Sequence, residues 1–152
     1  MSRDETLATL AAYRRWLLAY SDRFLLAEKF SNIDHAHRAG RLAISFDIEG
    51  MNALGGDINM VEVYHTLGVR QMLFAYNLNN LAAGGCHDVD IALTEFGIDI
   101  LTEMNRVGML VDASHTSYRT SMDLIERSKT PVVFSHSNPT SVWQHQRNIK
   151  DE

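Results

Sequence analysis

Between Gly108 and Asn138 the chain reads GMLVDASHTSYRTSMDLIERSKTPVVFSHSN, and two apolar runs in that stretch each end in Ser-His. The first, Met109 to Ala113, runs into Ser114-His115; the second, Val132 to Phe134, runs into Ser135-His136. Between them, Ser117 to Ser128 has the composition of a helix, closed by Pro131. Strand, helix, strand within one sheet requires parallel neighbours joined by a right-handed crossover. Parallel neighbours lie about 4.8 Å apart, so equivalent positions at their carboxyl ends bring both imidazoles to one small site. Those ends are where parallel α/β folds carry their chemistry. Either histidine alone would read as the satisfied end of a buried strand; the repeat makes them partners.

A carboxylate belongs to the same end of the sheet. Leu42 to Phe46 is a compact apolar strand that runs into Asp47-Ile48-Glu49-Gly50, which places Glu49 at its carboxyl end. Asp47 shares a strand face with Glu49 and is a candidate to orient a ligand or to act as a structural carboxylate. Two imidazoles and a carboxylate form a zinc set that leaves one coordination position open. Zinc held in this way polarises a carbonyl and lowers the pKa of water, which is the chemistry of amide hydrolysis. Cys86 is the only cysteine, so a disulfide framework and a Cys-rich zinc site are excluded, and any metal must use His and carboxylate.

In chain order, Ser2 and Glu5 form a capping box, and apolar residues at helical spacing predict one helix to about Lys29, or two with a break near Ser21-Asp22. Trp16, Tyr20 and Phe24 fall on a stripe expected to pack into the core. A short helix to Arg38 follows, ended by Gly40, with His35 and His37 facing solvent. Ile58 to Leu67 is the next crossover helix, and Val69 to Phe74 the next strand. That strand ends at Tyr76 and Asn77, whose phenol and amide could hydrogen-bond a substrate; Asn77 and Asn79 could equally shape a turn. Asn79 to Asp90 is a long loop of the kind that lines a site. Within it Cys86 reads as a filler, since no base accompanies it. Thr94 caps a helix to about Arg106, ended at Gly108, and the segment after Asn138-Pro139 is polar, with Trp143 and His145 in a loop or short helix.

The predicted fold is therefore α/β: a single domain over residues 1–152, with helices at 1–39 and then four parallel strands with crossover helices over 40–152. The strands fall near 42–47, 69–75, 109–113 and 131–135. A net charge of −5 and a pI near 5.8 give no electrostatic footprint for nucleic acid or an anionic membrane surface. The expected partner is a small molecule or another protein. With no signal-peptide pattern and no spanning segment at the N-terminus, the chain is expected in the cytoplasm.

From about residue 34 onward the sequence resembles the renal or membrane dipeptidases, peptidase family M19. The matching pieces are FDIEG at 46–50, LGVRQMLFAYNLNN at 67–80, LTEFG at 93–97, EMNRVGMLVDASH at 103–115 and PVVFSHSN at 131–138. The resemblance implies a (β/α)8 barrel holding two zinc ions and hydrolysing dipeptides through metal-activated water. Glu49 matches the bridging glutamate, and His115 and His136 match the two histidines on one of the ions. Tyr76 matches a substrate-binding position that is histidine in many members, and a branch with a Tyr-Asn segment and a Gly-Gly-Cys loop exists. The family's first-strand His-x-Asp pair does not occur ahead of Glu49, where His35-Ala36-His37 lacks the aspartate. A later aspartate and a substrate-clamping arginine come, in the family, from strands beyond the end of this chain.

A barrel needs roughly 200 residues or more, so the expectation is a partial TIM-like barrel. Such a half leaves two sheet edges unpaired, which favours homo-oligomers. Two functions follow: a zinc-dependent dipeptidase whose activity in this chain is impaired, or a non-catalytic metal-binding or interaction module derived from one.

Overall fold

The computed structural model describes residues 1–151. Four parallel strands form the main sheet in the order β3 (Phe46–Glu49), β4 (Val69–Leu73), β5 (Leu110–Asp112) and β6 (Val132–Val133). Sequential order in space, with helices between the later strands, is the winding of a TIM-like barrel, of which this is a part. The crossovers are α3 (Met60–Thr66), α4 (Glu95–Val107) and α5 (Tyr118–Arg127). Their ends follow from local chemistry. The Thr94 hydroxyl accepts from Gly97 N–H, Gly108 closes α4 with φ 80°, and the Ser117 hydroxyl accepts from Thr120 N–H at the start of α5.

Ahead of the sheet, α1 (Arg3–Ala19) carries the Ser2/Glu5 capping box but stops ten residues short of Lys29. Phe24–Leu26 is instead a strand, β1, paired in parallel with β2 (Leu42–Ile44) around the helix α2 (Phe30–Arg38). Segment 1–39, expected to hold helices alone, therefore contains a strand. Phe-Leu-Leu suits either state, and the available edge of β2 decides the matter through tertiary pairing. The aromatic stripe survives this change but not as core. Trp16 packs on Tyr20 and Phe24 at centroid distances of 5.3 and 4.7 Å, while Trp16 and Tyr20 stay exposed. The single strand expected over 42–47 is likewise two: Ser45 separates β2 from β3, which belong to different sheets, and the register slips between Phe46 and Asp47. Helix α2 starts at Phe30 and takes its first-turn support from Asn32 Oδ1, which accepts from Glu28 N–H and Lys29 N–H.

The core lies on one face of the main sheet, where Phe46, Ile48, Met72, Phe74 and Val111 meet Tyr64, Ile100, Met104 and Leu124 from the helices. Tyr64 is fully buried, and its hydroxyl donates to Ala53 O at 2.7 Å, so it adds apolar area without an unpaired polar atom. The pairing register sets the opposite face. Asp47, Gln71 and Leu110 are neighbours in one row, and Glu49, Leu73, Asp112 and Val133 in the next. Asp47, Glu49 and Leu110 on that face are exposed. Among the described residues no helix is long and apolar enough to cross a membrane.

Candidate metal centre

Each strand of the main sheet delivers something at its carboxyl end. Glu49 is the last residue of β3; Tyr76 and Asn77 follow β4; His115 follows β5; His136 follows β6. The structure brings Glu49, His115 and His136 together, with one potential ligand atom from each lying within 4.8 Å of the others. His115 Nε2 is 2.8 Å from His136 Nε2, and His136 Nε2 is 3.6 Å from Glu49 Oε1. The Tyr76 ring, 53% exposed, stacks on His115 at 4.6 Å.

The protonation of both rings can be read from their neighbours. Arg147, placed by sequence in a polar tail, reaches the centre with Nη2 2.7 Å from His115 Nε2. A guanidinium offers only donors, so Nε2 accepts and the ring proton of neutral His115 sits on Nδ1. That N–H donates to Asn77 Oδ1 at 2.7 Å. His136 is held by a relay: its Nδ1 is 2.7 Å from Ser135 Oγ, and Ser135 Oγ is bonded to Asp112. Since the Ser135 hydroxyl donates to the carboxylate, it accepts from His136 Nδ1–H, and His136 Nε2 also presents a lone pair. The two Nε2 atoms, 2.8 Å apart, crowd each other unless a cation or a proton lies between them, and an ion there would take the His115 lone pair in place of the Arg147 N–H. With a carboxylate oxygen beside them, the donor set fits a divalent ion such as zinc, which these ligand types hold at about 2.0–2.2 Å.

Asp112 anchors this end of the sheet. It is fully buried and also accepts from Ser114 N–H at 2.8 Å and Gln71 Nε2 at 2.7 Å. The orienting carboxylate is thus Asp112, not Asp47, which is exposed. A charged residue inside the apolar run Val111-Asp112-Ala113 was the available sequence signal. Arg147 had none, because it lies in no periodic segment. The arginine and the later aspartate were expected from beyond the chain, but an arginine at the centre comes from within it. Burial, together with the Arg147 charge and His136, pushes His115 down to about 4. Burial pushes the Cys86 thiol up, so at neutral pH it is a hydrogen-bond donor rather than a nucleophile. His35 and His37 are exposed on α2.

The His115 value predicts an acid response. An unfolded histidine titrates near 6.5, so between about pH 4 and 6.5 the unfolded chain binds more protons than the folded one. Stability of the metal-free chain should therefore rise as pH rises through this window and fall on acidification. Urea midpoints measured at pH 4.5, 5.5 and 7 should follow that trend, and the slope should flatten in His115→Gln. An unchanged slope in the variant would assign the acid response elsewhere.

The model of one protein family, described as membrane dipeptidase (peptidase family M19), matches the chain over residues 1–152. The chain belongs to the M19 dipeptidases. Dipeptidase tcpJ of Claviceps purpurea is 34% identical over 99% of this chain, and dipeptidase verJ of Clonostachys rogersoniana 38% over 88%. The chain spans 36% and 35% of the lengths of those two relatives. Among solved structures, an amidohydrolase from Pseudomonas aeruginosa superposes with a TM-score of 0.96 at 33% identity, covering 98% of this chain and 46% of its own. A metallopeptidase from Rhodobacter sphaeroides, solved with a phosphinate mimic of the dipeptide L-Ala-D-Ala, shares the fold at TM-score 0.88 and 22% identity. It is covered over 46% of its length, and 98% of this chain is aligned. The family model and the two curated relatives are described as dipeptidases, that is, hydrolases.

Proposed function

We propose that this chain carries part of a zinc-dependent dipeptidase site, with Glu49, His115 and His136 as metal ligands and Tyr76 and Arg147 facing the substrate. The convergence of the three ligands at the carboxyl rim of the sheet supports this reading. Zinc bound there would supply Lewis acidity, polarising the scissile carbonyl and making water a stronger nucleophile near neutral pH. Glu49, exposed at the rim, brings negative charge to the pair of imidazoles. Asn77 and the Ser135–Asp112 relay keep both Nε2 lone pairs on the metal side.

Arg147 gives the reading its substrate class. Its guanidinium bonds His115 through Nη2 alone and lines the adjoining cavity, so donors remain for a carboxylate. A dipeptide carries its terminal carboxylate one residue beyond the scissile bond. A fixed cation beside the metal centre therefore favours dipeptides over longer chains, whose carboxylates fall elsewhere. The Tyr76 ring, stacked on His115, forms one wall of that space.

One observation favours a second reading, metal binding without turnover. Among the described residues this three-ligand cluster is the one group suited to a metal, whereas the family resemblance implies two zinc ions. The activity of this chain should accordingly lie orders of magnitude below that of a complete site, since metals and positioned bases supply the larger transition-state terms. Purified chain incubated with zinc and Gly- or Ala-containing dipeptides should hydrolyse them slowly, and Glu49→Gln should reduce the rate by about 100-fold or more. Hydrolysis that survives both chelation and Glu49→Gln would overturn the proposal. Stoichiometric zinc without turnover would select the second reading.

A further inference from the structure

Asn77 and His115 are the two non-glycine residues with positive φ among those described, at 65° and 66°. They are also bonded to each other, through Asn77 Oδ1 and His115 Nδ1 at 2.7 Å. Strained backbone of this kind persists only where surrounding structure over-determines it, and it clusters at functional sites. Here the surrounding structure is the 84–87 segment. His87 N–H donates to Asn77 O at 2.8 Å, and Cys86 N–H donates to His115 O at 2.9 Å. One short loop therefore splints the backbones of both residues. Gly85 permits the approach: a Cβ there would lie 2.3 Å from Asn77 C and O and 2.4 Å from Leu78 N. The Cys86 thiol is 3.6 Å from Asn77 Oδ1, a second donor on the same oxygen, which keeps the amide turned with its oxygen toward the histidine.

We propose that Asn77 is a positioning residue that locks neutral His115 in its Nδ1–H tautomer and so aims the Nε2 lone pair at the metal centre, with the Gly85-Cys86 loop as its splint. Its consequence for metal binding rests on the ligand assignment proposed above; the tautomer itself does not. A ligand histidine whose second nitrogen donates to a fixed acceptor is oriented before the metal arrives, and removing such an acceptor characteristically costs 10–100-fold in metal affinity. The same job at His136 falls to Ser135 and Asp112, which makes the two imidazoles a pair set by unrelated acceptors from different strands.

Asn77→Gly is the informative variant, since glycine keeps a φ of 65° at no steric cost and deletes only the amide. Nitrogen-15 NMR of the metal-free chain, in an Arg147→Ala background that removes the guanidinium otherwise bonded to Nε2, should show His115 protonated on Nδ1 with Asn77 present and redistributed toward Nε2 in Asn77→Gly. Zinc affinity, measured by chelator competition, should fall about 10- to 100-fold in that variant. Asn77→Asp, which keeps an acceptor and tolerates positive φ, should retain both properties. A wild-type His115 protonated on Nε2 would overturn the inference without reference to any variant. So would a glycine variant with wild-type tautomer and wild-type zinc affinity, even if its melting temperature fell. Wild-type chain that shows the Nδ1–H tautomer but binds no zinc would leave Asn77's positioning role standing and sink the metal-centre reading instead.

Discussion

Replacing His115 with alanine is expected to weaken zinc binding by more than about 100-fold, beyond the loss typical of an orienting residue, because it removes a ligand outright. The geometry argues for the size of the effect. Two of the three candidate donors are imidazole nitrogens 2.8 Å apart, and deleting one leaves a histidine and an exposed glutamate, a combination common on protein surfaces without a bound ion. Of the three candidate donors, His115 is also the best prepared for a metal. At 4% exposure and held down to about 4, it is already neutral at pH 7, so binding need not displace a proton from it. Isothermal titration of zinc into wild type and His115→Ala, with circular dichroism to confirm that both are folded, provides the measurement. Equal affinities would show that the three side chains meet without forming a site. Loss in His115→Ala accompanied by retention in His136→Ala would place the ion on His115 with other partners.

The features legible in the sequence were those with local or periodic causes. Thr94, Gly108, Ser117 and Pro131 punctuate the helices because caps and breakers act within a few residues. The repeated Ser-His endings brought two imidazoles to one rim because parallel strands in register repeat their geometry. Glu49 followed from the same logic two strands before the first histidine. What the sequence did not disclose depends on partners far along the chain. Phe24–Leu26 becomes a strand only because Leu42–Ile44 offers an edge, and the break at Ser45 shows only when β2 and β3 join different sheets. Arg147 enters the centre from an aperiodic segment. Asn77 was read as a substrate contact or turn former, and its bond to His115 spans 38 residues. In the 79–90 loop, read from sequence only as one that lines a site, close backbone contact makes Gly85 a requirement.

The main sheet also predicts an asymmetry in stability, because its two faces are treated so differently. Phe74, at the end of β4, is fully buried in the cluster that joins the sheet to its helices. Phe74→Ala should cost about 3–5 kcal/mol. Against a total of roughly 5–15 kcal/mol for an ordinary domain, that loss should leave the chain largely unfolded at 37 °C. Leu110 lies on the opposite face, 38% exposed, beside Gln71 in the row that includes Asp47. Leu110→Ala should cost less, about 1 kcal/mol, since more than a third of its surface stays in water. Urea unfolding of both variants at two protein concentrations tests the contrast and the expected self-association together. If β3 and β6, the flanking strands, pair with a second copy, midpoints will rise with concentration. A cost for Leu110→Ala approaching that of Phe74→Ala, and growing with concentration, would mean that the exposed face is covered in solution by another chain.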